Sequence, residues 1–105
     1  MSPILLQIEF AFNGPWGAAL AEACTGLADD IAGEPGLRWK LWTEDATGGR
    51  AGGAYLFDDR AAAERYLRKH VERLQAFGVQ DVDARFFDVN PTLSERTRGP
   101  LGAAH

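Results

Sequence analysis

The apolar residues of this 105-residue chain recur with two periods along the sequence. A period of two residues is typical of a strand with one buried face, and a period of three to four residues is typical of an amphipathic helix. The strand-like segments are 4–12, 37–43, 51–57 and 82–89, and the helical ones are 16–31 and a segment that starts at Asp58 or Asp59 and ends at Gly78. This order predicts an α+β, ferredoxin-like βαββαβ fold, in which a four-stranded antiparallel sheet has two helices on one face.

The composition is that of one ordinary domain. With 46% hydrophobic and 25% charged residues, the chain can bury a core without disulfide bonds. We assign residues 1–93 to a single domain. Residues 94–105 are predicted to be a C-terminal arm or disordered tail, because this polar segment has little to bury. Cys24 is interpreted as a reduced packing residue, which is consistent with a cytoplasmic protein.

Charge and hydropathy argue against several classes of partner. A net charge of −4 does not suit binding to nucleic acid, whose phosphates require a cationic face. No apolar run approaches the roughly 20 residues of a membrane span, and no signal peptide is recognisable. The histidines are His70 and His105, and no set of histidine, cysteine and carboxylate residues has the spacing of metal ligands. We therefore expect a cytoplasmic protein with no metal site and no membrane or nucleic-acid partner.

Two helices can cover only one face of the predicted sheet. Alternation along the second strand places Trp39 on the covered face with Leu37 and Leu41, and Trp42 on the opposite face. The uncovered face is predicted to carry Trp42, Tyr55, either Phe86 or Phe87, Gln7 and Glu9. An apolar sheet face needs a cover, and a second copy of the chain is the simplest one. The pattern thus predicts a homodimer.

His70 is the residue with the clearest catalytic potential. It follows Tyr66 by one helical turn and borders the apolar side of its helix. Histidine suits a base that works near neutral pH, although a buried histidine can also be a packing residue. Asn13 follows the first strand, where it can cap a helix or turn or bind a substrate oxygen.

Aromatic residues and one lysine are the candidates for substrate binding. Trp39 can be a core residue or the wall of a pocket for an aromatic ligand. Tyr55 and Lys40 can hold or polarise a phenolic oxygen, with a salt bridge at the rim as the alternative for Lys40. The residues expected to exclude water from such a pocket are Trp39, Phe10, Phe12 and Phe77.

Five segments carry a resemblance to a known family: LLQIEFAFNGPWG, EPGLRWKLWTE, AGGAYLFDD, YLRKHVERLQAFGV and FFDVN. From about Leu5 to about Leu93 the chain resembles the YdhR-type mono-oxygenases of the dimeric α/β-barrel superfamily, and the tail has no counterpart. The resemblance implies a homodimer whose two sheets close into a barrel, with a pocket between each sheet and its helices. It also implies oxidation of phenolic or anthrone-like substrates by O2 without flavin, haem or metal.

These observations lead to one preferred function and two alternatives. The preferred function is that of a cofactor-independent mono-oxygenase acting on a small or polycyclic aromatic compound. In it, His70 is the base, and Asn13, Lys40 or Tyr55 stabilises the anion. The first alternative is a non-catalytic protein that binds a hydrophobic aromatic ligand. The second is a haem-handling protein that uses Asn13, Trp39 and His70.

Overall fold

A computed structural model describes residues 2–102 of the chain. The elements in order are β1 (Ile4–Ala11), α1 (Gly17–Ala32), β2 (Leu37–Asp45), β3 (Arg50–Phe57), α2 (Arg60–Ala76), β4 (Asp83–Asp88) and α3 (Pro91–Arg96). The βαββαβ order is confirmed. The short helix α3 was not predicted, and His105 lies outside the described residues.

The four strands form one antiparallel sheet in the order β2-β3-β1-β4. Helix α1 packs near β2, and α2 packs against β1 and β3, so both helices lie on one face, as the ferredoxin-like prediction requires. The alternation along β1 directs its apolar residues to that face, where Ile4, Leu6, Ile8 and Phe10 are buried. The core therefore lies between the sheet and the two long helices.

The ends of α2 are fixed by its sequence. At the N-terminus, Asp59 Oδ1 accepts a hydrogen bond from the Ala62 backbone N–H at 2.9 Å, as predicted for an N-cap. At the C-terminus, Gly78 has φ +87°, a conformation that favours glycine. The N-cap of α1 is instead Trp16, without a side-chain hydrogen bond. Of the roles that the sequence left open for Asn13, capping of this helix is therefore wrong.

A β-bulge at Arg38 interrupts the pairing of β2 with β3. Leu37 pairs with Phe57 of β3. The adjacent β3 residue, Leu56, pairs with Trp39 and not with Arg38, so Arg38 is one residue in excess. Because side chains alternate between the two faces, one extra residue exchanges the faces of everything that follows it. Trp39 therefore lies on the uncovered face.

The bulge corrects three predicted positions. Lys40 pairs with Tyr55, and Tyr55 pairs with the buried residue Leu6, so all three share the helix-covered face. Trp42 lies on the same face as Lys40. The predicted faces of Trp39, Leu41 and Trp42 are wrong, because strict alternation does not hold across the bulge. The predicted face of Tyr55 is wrong for another reason: β3 has no clear alternation of its own, and its facing follows from its pairing with β1.

The uncovered face is mixed in character. Among its apolar residues, Leu41 is 60% exposed and Phe87 is 44% exposed. Phe87, not Phe86, is therefore the phenylalanine on this face. The predicted Gln7 and Glu9 are exposed there too, and Glu9 forms an ion pair with Arg50 at 2.7 Å.

The segment after α3 reaches back to β2. Trp39 Nε1 donates a hydrogen bond to the Pro100 carbonyl oxygen at 2.6 Å, and Arg38 Nη1 donates to the Leu101 carbonyl oxygen at 2.9 Å. A backbone hydrogen bond from Gly99 to Ser94 turns the chain in this direction. The indole N–H of Trp39 is therefore hydrogen-bonded to the segment that follows α3.

Candidate active site

A cavity of about 340 Å³ lies between the sheet and the helices α1 and α2, where the resemblance predicts a pocket. This volume is within the usual range for a site that binds a small molecule. Three predicted wall residues, Phe10, Phe12 and Phe77, line the cavity. Phe12 packs edge-to-face against Phe10, with ring centroids 6.1 Å apart. The walls are therefore suited to a flat, apolar ligand.

Two tyrosines and a histidine pack together, and two of them, Tyr55 and His70, line the cavity. The Tyr66 and His70 rings are stacked with centroids 5.0 Å apart, and the Tyr66 hydroxyl donates a hydrogen bond to the Tyr55 hydroxyl at 3.2 Å. Burial raises the pKa of Tyr66 to about 12 and raises the pKa of Tyr55 further. Both phenols are therefore neutral near pH 7 and act through hydrogen bonds.

Arg73 determines which ring nitrogen of His70 carries the proton. The Arg73 guanidinium contacts His70 Nδ1 through Nη2 at 3.0 Å and through Nε at 3.3 Å. A guanidinium only donates hydrogen bonds, so Nδ1 is the acceptor and the neutral ring carries its proton on Nε2. Burial, and after it the positive charges of Lys40 and Arg73, lowers the pKa of His70 to about 3. His70 is thus a neutral hydrogen-bond donor near pH 7.

The Nε2 atom of His70 remains available for a ligand. His70 is 3% exposed and lines the cavity. The hydrogen bonds of His70 are at Nδ1. Among the described residues, every side-chain nitrogen or oxygen that is fully occluded has a hydrogen-bond partner, so Nε2, which has none, is not fully occluded. The Nε2–H group therefore has access to the space beside the ring.

Lys40 extends into the same cavity from β2. Its Nζ atom lies 3.4 Å from the centroid of the Trp42 ring and 4.7 Å from that of the Tyr55 ring. Burial, followed by the positive charge of Arg73, lowers the pKa of Lys40 to about 7, and Cys24 opposes this shift. Near neutral pH, the cavity therefore holds an amine that exchanges a proton readily.

The structure does not bring all the predicted site residues together. His70, Tyr55, Lys40 and the three phenylalanines line the cavity. Asn13 is exposed beside it, and Trp39 is on the other face of the sheet. The trio of Asn13, Trp39 and His70 therefore does not converge on a common haem site.

Some residues of the site were missed or misplaced by the sequence analysis. Trp42 takes the place in the cavity wall that was predicted for Trp39. Arg73 was not among the predicted site residues, although its spacing of three residues from His70 places both on one helix face and could have revealed the contact. Cys24, which the sequence analysis interpreted as a packing residue, is half-buried and lines the cavity from α1.

The difference between the two tryptophans can be tested by ligand binding. We expect Trp42→Ala to weaken the binding of 1-naphthol about fivefold, since one aromatic contact contributes about 1 kcal/mol beyond burial. Trp39→Ala is the matched control and is expected to change the affinity less than twofold. Isothermal titration calorimetry measures both. A larger loss for Trp39→Ala would contradict this assignment of the cavity.

Within residues 2–102, no three histidine, cysteine, aspartate or glutamate side chains are grouped so that they could hold a metal ion. No helix in this part of the chain has both the length and the apolar character needed to cross a bilayer. The candidate site is accordingly described by its aromatic walls and its four titratable residues, Cys24, Lys40, Tyr55 and His70.

Comparisons with known proteins agree with this architecture. Two solved structures share the fold at 16% sequence identity and a TM-score of 0.61. One, from Deinococcus radiodurans, is described as a "putative antibiotic biosynthesis monooxygenase"; the match covers 83% of this chain and 92% of that one. The other is a mutant of SnoaB, "a cofactor-independent oxygenase from Streptomyces nogalater", with 86% and 95% covered.

One of the two sequence comparisons gives a match. No curated protein matches the chain. The family described as "Putative mono-oxygenase ydhR" matches residues 5–100, so the match continues beyond the predicted limit near Leu93. On this match, which spans nearly the whole sequence, the chain belongs to the ydhR mono-oxygenase family.

Proposed function

We propose that the protein is a cofactor-independent mono-oxygenase that oxidises a small or polycyclic aromatic compound of phenolic or anthrone-like character with O2. The observation that carries this proposal is the apolar cavity, in which Lys40, Tyr55 and His70 meet aromatic walls. Membership of a mono-oxygenase family supports the general activity. The shared fold of SnoaB, described as a cofactor-independent oxygenase, supports the absence of a cofactor.

The proposed reaction begins with the loss of one substrate proton. The resulting anion transfers an electron to O2, and the two radicals combine into a peroxide. The O–O bond then breaks, leaving one oxygen atom on the substrate as a carbonyl and releasing the other in water. The substrate itself supplies both the electrons and the two hydrogens of that water, so the balance requires no external reductant.

The residues of the cavity contribute solvent exclusion and hydrogen bonds. Phe10 and Phe12 keep water away from the anion. His70, through Nε2–H, and Tyr55, through its hydroxyl, are proposed to donate to the oxygen on which charge develops. One preorganised donor of this kind contributes about 3 kcal/mol to catalysis. His70 therefore remains a proposed catalytic residue, with hydrogen-bond donation as the role that its contacts favour.

Oxygen consumption tests the activity. We would measure O2 uptake with a panel of anthrones and hydroquinones in chelator-treated buffer. The wild type is expected to consume O2, and His70→Ala to be slowed about 100-fold through loss of one donor. Arg65→Ala, which changes an exposed residue of α2, is the control. Ligand-induced thermal stabilisation without O2 uptake would contradict the proposal and favour a binding protein.

We also propose that the protein is a homodimer in which the uncovered sheet faces of two copies pack together. The support is the exposure of Leu41 and Phe87 on this face. The face also carries charges of both signs, such as Glu9 and Arg50, so a two-fold-related copy would present complementary charges to it. Such a dimer would be equivalent to the barrel implied by the family resemblance.

One leucine on the sheet and one outside it provide a matched test of the dimer. Leu41 and Leu93 are 60% and 62% exposed, but only Leu41 lies on the uncovered face. Sedimentation velocity is expected to give a dimer for the wild type and for Leu93→Glu, and a monomer for Leu41→Glu. A monomeric wild type at micromolar concentration would contradict the proposal.

A further inference from the structure

The proposed reaction requires a group that accepts the substrate proton, and His70 is poorly placed for this task. Its Nδ1 atom already accepts the guanidinium of Arg73, and Nε2 carries the ring proton. With a pKa of about 3, the ring also has little affinity for a second proton. Another residue of the cavity must therefore be the base.

We propose that the amine of Lys40 takes the proton from the substrate, a role that rests on the mono-oxygenase function proposed above. Lys40 lines the cavity together with His70 and Tyr55. Its side chain crosses Gly53 on β3, where an added Cβ would lie 2.7 Å from Lys40 Cε. Because Gly53 has no side chain, the side chain of Lys40 can occupy this space.

The surroundings of Lys40 favour an uncharged amine before the reaction. The ionisable groups that face it are Tyr55 on β3, His70 and Arg73 on α2, and Cys24 on α1. No carboxylate contributes to the change in its pKa. Burial and the guanidinium of Arg73 both oppose a charge on Nζ, so a substantial fraction of the residue is neutral at pH 7.

The guanidinium of Arg73 is held in position by partners on two elements. Its Nη1 atom forms an ion pair with Asp30 Oδ2 on α1 at 2.8 Å, while Nε and Nη2 contact His70. Asp30 is exposed, so its charge is screened by water more than the charges inside the cavity are. Arg73 therefore remains a cation that faces both His70 and Lys40.

Two aromatic rings and the substrate anion stabilise the ammonium once it has formed. A C–H or O–H bond of the substrate breaks, its electron pair stays on the substrate, and the proton binds Nζ. The new cation lies over the rings of Trp42 and Tyr55 and beside the substrate anion. The peroxide anion formed with O2 then takes this proton back. As the O–O bond breaks, the amine removes the second hydrogen and passes it to the departing hydroxide, which leaves as water.

Proton removal can be measured without O2. We would follow the exchange of the methylene hydrogens of anthrone for deuterium by NMR under argon, and O2 uptake in parallel. The wild type is expected to accelerate exchange over buffer, with a rate that rises as pH increases through about 7. Lys40→Met, which lacks the amine, and Lys40→Arg, which cannot accept a proton, are expected to lose at least 100-fold. Arg65→Met, which removes an exposed cation of α2, is the control.

The two measurements separate this inference from the proposed function. Wild-type rates of exchange and O2 uptake in Lys40→Met would overturn the role of Lys40 and leave the function intact. Exchange that depends on Lys40 without O2 uptake by the wild type would support the role of Lys40 and overturn the function. O2 uptake without accelerated exchange would overturn proton removal by Lys40.

A titration of the wild type provides a readout that does not depend on enzymatic activity. The chain contains two lysines, Lys40 and Lys69. Reductive methylation with ¹³C-formaldehyde labels both amines, and the signal that Lys40→Arg lacks belongs to Lys40. This signal is expected to titrate near pH 7. A midpoint above pH 9 would overturn the proposal.

Discussion

Replacement of His70 by glutamine is expected to remove much of the acid sensitivity of the fold. The folded protein holds the pKa of His70 at about 3, below its ordinary value of 6.5. Between these values the unfolded chain binds a proton that the folded chain does not, so the free energy of unfolding decreases as the pH falls. At about 1.4 kcal/mol for each pH unit, His70 accounts for a loss of roughly 3 kcal/mol between pH 6.5 and pH 4.

Glutamine is a suitable replacement because its side-chain oxygen can still accept from Arg73 while it does not titrate. Urea denaturation at pH 6.5 and pH 4 measures the loss for both proteins. All other ionisable groups are common to both, so the difference between the two losses reports His70. Equal losses would contradict the assignment of a neutral, buried imidazole.

Gly52→Ala is expected to destabilise the protein by about 3 kcal/mol or more. A Cβ on Gly52 would lie 1.9 Å from the carbonyl oxygen and 2.8 Å from the carbonyl carbon of Ile8. These are backbone atoms of β1, a central strand paired on both edges. The strand cannot move aside without loss of hydrogen bonds to β3 or β4.

Gly26→Ala is the matched control for this substitution. Gly26 lies inside α1, and an added Cβ meets no atom within 4 Å. Because alanine favours a helix over glycine by about 1 kcal/mol, this variant is expected to be more stable than the wild type. Urea denaturation of both variants compares the two effects. Similar stabilities would contradict the close approach of β3 to β1.

The order of the four strands and two long helices was predictable because most of these segments have a clear apolar period and a recognisable end. On β1, Ile4 to Phe10 alternate without a bulge, so their common face could be predicted. β3 offers no such contrast, because Gly53 and Tyr55 on one face and Ala54 and Leu56 on the other are all weakly polar or apolar. The face on which each β3 residue lies depends on the pairing of β3 with β1, and this pairing is a feature of the tertiary structure.

The composition of the site was predictable only in part. His70 and Lys40 were identified as single residues with suitable chemistry. Their protonation depends on burial and on Arg73, which α2 brings against His70 and towards Lys40. Trp42 lines the cavity in place of Trp39 because of the extra residue at Arg38. A bulge changes the pairing between strands without an apolar signature of its own, so periodicity alone could not reveal it.

The most direct measurement for the whole account is the fate of the two atoms of O2. The wild-type protein would be incubated with anthrone under ¹⁸O2, and the product analysed by mass spectrometry, with a parallel reaction in H2¹⁸O under unlabelled O2. The expected product is an anthraquinone that contains one oxygen atom from ¹⁸O2, formed much faster than without protein. A product labelled only from water, or formed at the same rate without the protein, would contradict the proposed function.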